Sequence, residues 1–365
     1  MAATVLEAAI TEAAAEAGPE EDTSGQVRLL LDRNVALESQ VMRLRDQREI
    51  IREATRSCLA ALEPGMPRLT EVRADTTGKC AEVAHTIWSD WHIGEKVRGA
   101  DTNGLGKFNW DICQARMDTL FLKTQLLLDF HRKYAKIEDL YINVLGDIWT
   151  GEGIFHKQAH RIDLTLRRQF HLGVRRVSEL VRDLACEVER VHVHLVPGNH
   201  DQPLGHRGDL ADDASLIGYD QIEHELSGIP NVDIQTWESS IAEYQDAAGK
   251  WILAAHGNQF KTTLRVPMYG YGRWVGEQME HFGRHFNCSM IGHWHSPTVA
   301  RRERCWMFVN GCLPGPTEYS HKMGRGGTPG QWLFAHADGV ESPAWMRNID
   351  VTVGAPPPDR AAEAA

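Results

Sequence analysis

Five short apolar runs in this 365-residue chain each break into side chains able to hold a cation. Residues 81–88 lead into Ser89-Asp90-Trp91-His92, 140–145 into Gly146-Asp147, and 191–196 into Pro197-Gly198-Asn199-His200-Asp201. Residues 251–255 are followed by His256-Gly257, and 288–291 by Gly292-His293-Trp294-His295. The runs read as strands. Helical patterns fall between them, over 111–134, 159–189, about 211–225 and about 272–286. Such alternation predicts a layered α/β domain. In α/β sheets, ligands gather beyond the carboxyl ends of the strands, so the five groups should converge on one rim. Strand alternation points Asp90 and His92 to one side, and likewise His293 and His295. The adjacent glycines let the backbone turn close to a bound ion.

Chemistry follows from residue type. The Asn199 carbonyl can bind a hard or borderline cation, and the adjacent His200 can carry a proton to a leaving group. A single such turn is weak evidence, because Asn, His and Asp are ordinary turn residues. Its weight comes from the four companions at other strand ends.

Taken in order, DxH, GD, GNHD, a later His and GHxH resemble the calcineurin-like metallophosphoesterase superfamily, over roughly residues 80–315. The SDWH form of the first motif is most similar to the double-strand-break repair nucleases of that superfamily. The resemblance implies a four-layer α/β/β/α sandwich and two divalent metal ions. One ion would be held by Asp90, His92, Asp147 and His295. The other would be held by Asp147, Asn199, His256 and His293, with Asp147 bridging. His200 would give a proton to the departing oxygen, oriented by Asp201. Two such ions carry four positive charges against two ligating carboxylates, leaving an excess suited to a phosphate. Nitrogen and oxygen ligation without thiolate suits Mn, Fe or Zn better than Ca or Mg, and Mn is the expected activator. The chain departs from the frequent GDxxD form at Thr150, where Glu152 offers a nearby carboxylate for an outer role. It also lacks the GDxVDRG and GNHE forms of protein Ser/Thr phosphatases.

The favoured expectation is therefore a nuclease hydrolysing phosphodiester bonds in DNA or RNA. The alternatives are a phosphodiesterase or phosphatase on a small nucleotide-type substrate, and a non-catalytic coiled-coil scaffold. Repair nucleases of the superfamily carry a capping domain and an ATPase-binding segment after the last motif. This chain reaches Ala365 soon after His295, so no ATPase partner is expected.

Composition narrows the setting. The formal charge of −11 argues against broad basic wrapping of nucleic acid, though not against a local basic groove. No apolar run approaches the ~18 residues that would span a bilayer, and no signal peptide is legible, so no membrane role is expected. Seven cysteines without a CxxC pair suit reduced thiols in the cytoplasm.

Outside the motifs, residues 1–24 are rich in Ala and Glu and read as a disordered acidic tail. Residues 25–64 form the expected coiled-coil helix. Leu30, Leu37, Leu44, Ile51 and Cys58 recur every seven residues, with Val27, Asn34 and Val41 three before the first three. This heptad seam predicts a homodimer through residues 27–62, with Asn34 fixing register. A single amphipathic helix folded against the catalytic domain is the other reading. The catalytic domain is expected over 65–350 and a Pro/Ala-rich tail over 351–365.

Substrate contacts are expected from His156, Lys261 and Arg265, with Lys322 and Arg325 further candidates. His156 and His160 are four residues apart, and a solvated or capping role competes with phosphate contact. Arg161, Arg168, Arg175 and Arg182 recur every seven residues; a solvated helix face explains them better than a phosphate-tracking stripe. Phe260, Tyr269, Tyr271 and Trp274, interleaved with Lys261, Arg265 and Arg273, would either stack bases or anchor a loop. His192 and His194 read as packed or hydrogen-bonded strand residues.

Overall fold

A computed structural model describes residues 80–152, 158–200, 214–261, 267–322 and 327–352. All belong to the compact unit Glu63–Ala365. The acidic tail, the heptad segment and residues 353–365 lie outside the described residues.

Two sheets stack face to face. The first has six strands: β1 (Cys80–Trp88), β2 (Ala135–Leu145), β3 (Arg190–Val196), β4 (Val232–Thr236), β10 (Gly330–Ala337) and β11 (Pro343–Asp350). Their order is β11-β10-β1-β2-β3-β4. β1 to β4 run parallel, while β10 and β11 add antiparallel ladders on one edge. The second sheet orders β5 (Ile241–Gln245), β6 (Trp251–Ala255), β7 (Cys288–Ile291), β9 (Cys305–Val309) and β8 (Thr298–Arg302). β6, β7 and β9 are parallel, flanked by antiparallel β5 and β8.

The side-chain period of two explains the layering. Along β1, Ala84 and Trp88 face one hydrophobic cluster while Val83 and Ile87 face another. The first cluster lies under α1 (Trp110–Arg132), α2 (Leu166–Ala185) and α3 (Ala214–Leu226). The second fills the space between the sheets. A third, with Tyr271, Trp274 and Val275, packs α4 (Pro267–Phe282) on the outer face of the second sheet. The result is the four-layer sandwich. Central parallel strands buried on both faces read as near-continuous apolar runs, which is why they were visible in the sequence.

Several boundaries differ from the sequence expectation. The helix expected over 159–189 begins only at Leu166, because Thr165 is extended (φ −60°, ψ 152°) and Gln158–Arg161 forms a separate 3-10 turn. Arg161 therefore leaves the arginine series. Arg175 pairs with Glu179 and Arg182 with Glu225, as a solvated face would. α4 starts at Pro267, several residues before the expected position. The strands β4, β5, β8 and β11 and the short helix α5 (Glu318–Lys322) were not expected at all.

The interior between the sheets is partly polar. Asp246, just after β5, places Oδ2 3.1 Å from His85 Nε2 and 2.9 Å from His336 Nδ1. Its Oδ1 accepts the backbone N–H groups of Ala248 and Lys250 at 2.9 and 2.8 Å. Four donors on one buried carboxylate clasp the two sheets together. His192 and His194 are packed and hydrogen-bonded as expected, His192 to Asp139 at 2.9 Å and His194 to Trp237 Nε1 at 3.0 Å.

Candidate metal centre

The parallel strands β1, β2, β3, β6 and β7 all end on the same rim, and their ladders continue into the loops. Asp90 N–H donates to the Gly146 carbonyl at 3.1 Å and His92 N–H to the Asp147 carbonyl at 3.0 Å. Gly292 N–H donates to the His256 carbonyl at 2.8 Å, and Leu313 N–H crosses to the Asp90 carbonyl at 3.0 Å. Loops of both sheets are thus stitched at one place.

Backbone conformation marks this rim. Of the eight non-glycine residues with positive φ among the described residues, five are Asp90, His92, Asp147, His293 and His295. Their φ values are 55°, 45°, 53°, 64° and 53°. Each such residue costs of order 1–3 kcal/mol, and such strain clusters at functional sites. The finding corrects the reason given for the paired motifs. Asp90 and His92, and His293 and His295, lie beyond their strands. Two left-handed residues flanking a tryptophan aim each pair, rather than strand pleating. Trp91 is fully buried, and Trp294 packs against the third hydrophobic cluster.

Seven side chains meet here. His92 Nε2 lies 3.2 Å from His295 Nε2, which lies 3.1 Å from Asp90 Oδ1. Beside them, His256 Nε2 lies 2.9 Å from Asn199 Oδ1, 3.1 Å from Asp147 Oδ2 and 3.2 Å from His293 Nδ1. The ligand atoms of Asp90, His92 and His295 fall within 4.8 Å of one another, as do those of Asp147, His256 and His293. A third such group joins His92, Asp147 and His200. Asp147 therefore stands between the two clusters, adjoining both through His92 and His256. The closeness depends on glycine: a Cβ on Gly198 would sit 2.2 Å from Asp147 Oδ1.

Charge is balanced by proximity. Burial alone would raise the Asp147 pKa, but His256, His200 and His92 hold it well below the usual carboxylate range. Asp90, also opposed by burial, is lowered by His295 and His256. Burial works against a charged His256, yet Asp147 and Asp90 raise it to about 9. His295 is likewise raised well above its ordinary value against burial, with Cys312 and Asp90 responsible. His293 is lowered to about 4 by burial and by His256, and His92 well below its ordinary value by burial and by His200 and His295.

The donor set fits divalent ions. A carbonyl can only accept, so His256 Nδ1, 2.7 Å from the Leu145 carbonyl, carries the hydrogen. Its Nε2 lone pair then faces two oxygens and the His293 nitrogen, an arrangement that needs a proton or a cation among them. Fixing a ligand's tautomer through a backbone carbonyl is the usual outer support of a metal-binding histidine. Nitrogen and oxygen donors without thiolate suit a borderline cation.

His200 sits at the edge of this cluster. Its backbone N–H donates to Asp147 Oδ1 at 2.8 Å, and its Nδ1 lies 3.2 Å from the Thr150 carbonyl. The backbone of Thr150, the residue that departs from GDxxD, thus orients His200. Asp201, expected in that role, lies outside the described residues, as do His156, Arg265 and Arg325. Glu152, expected as an outer carboxylate, is exposed. Lys261 is exposed, with no ion pair among the described residues. Lys322 pairs with Glu318, which also binds Arg161 at 2.6 Å. Phe260 stacks on Tyr271 at 5.6 Å, and Tyr271 and Trp274 are buried, so these aromatics anchor a loop. Tyr269 alone of that group is largely exposed.

Sequence reasoning missed the layer behind Asp90. Ser89 donates from Oγ to Asp90 Oδ2 at 2.6 Å, and Asn310 Nδ2 lies 2.9 Å from that Oγ. Gln331 completes the group, and all three are fully buried. Asn310 and Gln331 follow no motif spacing, and only a polar residue inside an apolar run could have flagged them.

No protein-family model and no curated protein matches the chain. Among solved structures, the fold is similar to a novel archaeal phosphodiesterase at 9% identity and TM-score 0.33, covering 73% of this chain and 98% of that one. It is similar to a predicted phosphoesterase from Streptococcus pneumoniae at 13% identity and TM-score 0.28, covering 70% and 84%. It is also similar to Vacuolar Protein Sorting 29 from Cryptosporidium parvum at 12% identity and TM-score 0.33, covering 74% and 99%. Likenesses at these identities and scores carry no argument about activity.

Proposed function

We propose that this chain is a dinuclear metal-dependent phosphoesterase that hydrolyses phosphodiester bonds, with nucleic acid as the favoured substrate. The single observation that carries the reading is the His256 Nε2 atom. With Nδ1 committed to the Leu145 carbonyl, it lies within 3.2 Å of Asn199 Oδ1, Asp147 Oδ2 and His293 Nδ1. Asp90, His92 and His295 form the matching group alongside. Two ions held by these residues, Mn in preference to Fe or Zn, would supply charge stabilisation and an activated water at phosphorus.

The chain's own residues do the rest. Asp147 joins the two groups and is kept ionised by three surrounding histidines. His200 commits Nδ1–H to Thr150, so a proton gained at Nε2 is the one available to a leaving oxygen. A small cyclic or linear nucleotide is the second reading, because the formal charge of −11 argues against broad basic wrapping of a polynucleotide. Seven cysteines without a CxxC pair favour a reducing, cytoplasmic setting. We further propose a homodimer through residues 27–62, on the strength of the heptad seam.

The test is Mn-dependent hydrolysis of single- and double-stranded DNA, RNA, bis-p-nitrophenyl phosphate and cyclic nucleotides, with metal content measured on the same preparation. Cleavage of polynucleotide supports the nuclease, and cleavage of small diesters alone supports the second reading. A fully metal-loaded protein that cleaves none of them would leave the scaffold. A chain starting at Arg68 should sediment as a monomer where the full chain is a dimer; an unchanged state removes the coiled-coil contact.

A further inference from the structure

The carboxylate of Asp90 is held from behind by Ser89, its neighbour in the first motif, and by Asn310 and Gln331, which no ligand motif contains. Gln331 brackets the Ser89 peptide: its Oε1 accepts Ser89 N–H at 3.0 Å and its Nε2 donates to the Ser89 carbonyl at 3.2 Å. This side-chain amide extends the β1–β10 ladder beyond its last pair, Thr86 with Leu333. It does so immediately before Asp90 enters the left-handed region at φ 55°. Asn310, just past β9 in the other sheet, points Nδ2 at Ser89 Oγ (2.9 Å), Gln331 Oε1 (3.0 Å) and the Ile87 carbonyl (3.2 Å). Its Oδ1 accepts Trp332 N–H at 3.0 Å.

The consequence is directional. The Ser89 hydroxyl has one hydrogen. Asn310 donates to its oxygen, so that hydrogen is left for Asp90 Oδ2, 2.6 Å away. The His293 N–H is shared between the two oxygens, 2.9 Å from Oδ2 and 3.0 Å from Oδ1. The Ser89 hydroxyl on Oδ2 and His295 Nε2, 3.1 Å from Oδ1, are what distinguish them. There is no slack for another arrangement, because a Cβ on Gly292 would sit 2.6 Å from Asp90 Oδ2 and 2.7 Å from Ser89 Oγ.

We propose that Ser89, Asn310 and Gln331 act as positioning residues that turn Oδ1 of Asp90 toward the ion shared with His92 and His295. The inference rests on the two-ion reading and adds that the two sites are supported unequally. Only the Asp90 side depends on the relay; the Asp147 side is oriented by His200 N–H and by His256 through Leu145. Removing an outer hydrogen bond of this kind weakens metal affinity by about 10–100-fold.

The experiment is a Mn titration of metal-free full-length protein, wild type against Ser89→Ala and Ser89→Cys, followed by calorimetry, with thermal melts of the metal-free forms. Ser89→Ala should melt close to wild type, since Asn310 keeps two other acceptors. It should bind one ion as wild type does and the other about 10–100-fold more weakly. Ser89→Cys, which keeps a weaker donor, should fall between, and it carries the test alone if the alanine variant fails to fold. Two ions bound with wild-type affinity in both variants would overturn the relay, as would equal weakening of both ions. A wild-type protein that binds no ion would instead overturn the two-ion reading itself.

Discussion

His92 and His295 face each other nitrogen to nitrogen, Nε2 to Nε2, at 3.2 Å. Two imidazole lone pairs do not approach so closely without something positive between or beside them. In the metal-free chain a proton serves: His295, raised well above its ordinary value, carries it, and His92, lowered well below, accepts it. His256 and His293 repeat the relationship at 3.2 Å, with His256 raised to about 9 and His293 lowered to about 4. The protons occupy positions where cations would compete with them.

Metal uptake should therefore release protons. The His256 pKa is raised from 6.5 to about 9, so its bound proton stabilises the metal-free fold fully below pH 6.5. That contribution is lost as pH rises through about 9. Ligation requires the lone pair, so Mn affinity should rise across the same window. Calorimetry at neutral pH in buffers of different ionisation enthalpy should show net proton release. Affinity independent of pH, with no proton release, would contradict the shared role of these nitrogens.

Asp147 and His200 should separate by substitution. Asp147→Asn removes the carboxylate between the two groups and should lower the bound metal in elemental analysis. His200→Ala should keep both ions and lose about 10²–10⁴-fold in turnover, as for a general acid. His200 also lies in a potential ligand group with His92 and Asp147. Equal metal loss in both variants would make it a ligand instead.

Gly198→Ala tests the close approach behind Asp147. Its new Cβ would meet Asp147 Oδ1 at 2.2 Å and the Asp147 backbone nitrogen at 2.4 Å. Backbone cannot yield as a flexible side chain does, so stability should fall by about 1–3 kcal/mol and metal content with it. Chemical denaturation together with metal analysis reads both. Unchanged values in both would mean the loop has room that the structure does not show.

The clasp at Asp246 should be separable from the site. Asp246→Ala leaves His85, His336 and two backbone N–H groups without their shared acceptor, a loss of at least about 3 kcal/mol. Thermal unfolding should fall by several degrees while the folded protein keeps its metal content. An unchanged melting temperature would show that the four donors find other partners.

Much of the site was legible because its ligands follow strands whose apolar runs are continuous. Asp90, Asp147, Asn199, His256 and His293 each stand within a few residues of such a run, and the alternation of runs with helical patterns ordered them. The edge strands β4, β5, β8 and β11 were not legible, since exposed residues such as Asp233 and Arg301 interrupt their pattern. The supports were hidden for another reason. Asn310 and Gln331 reach Ser89 across 221 and 242 residues, and His85 reaches Asp246 across 161, distances at which no local spacing carries information. Phe260, Tyr271 and Trp274 had two readings of similar weight in the sequence, and only their burial in one cluster decided for the anchored loop.

The most direct measurement is electron paramagnetic resonance of the metal-free protein titrated with Mn. Two ions about 3.5–4 Å apart are magnetically coupled. The seven-ligand centre predicts uptake of two equivalents per chain and a coupled dinuclear spectrum, lost in Asp147→Asn. Uptake of one equivalent or none, or two equivalents with only isolated-ion signals, would contradict it.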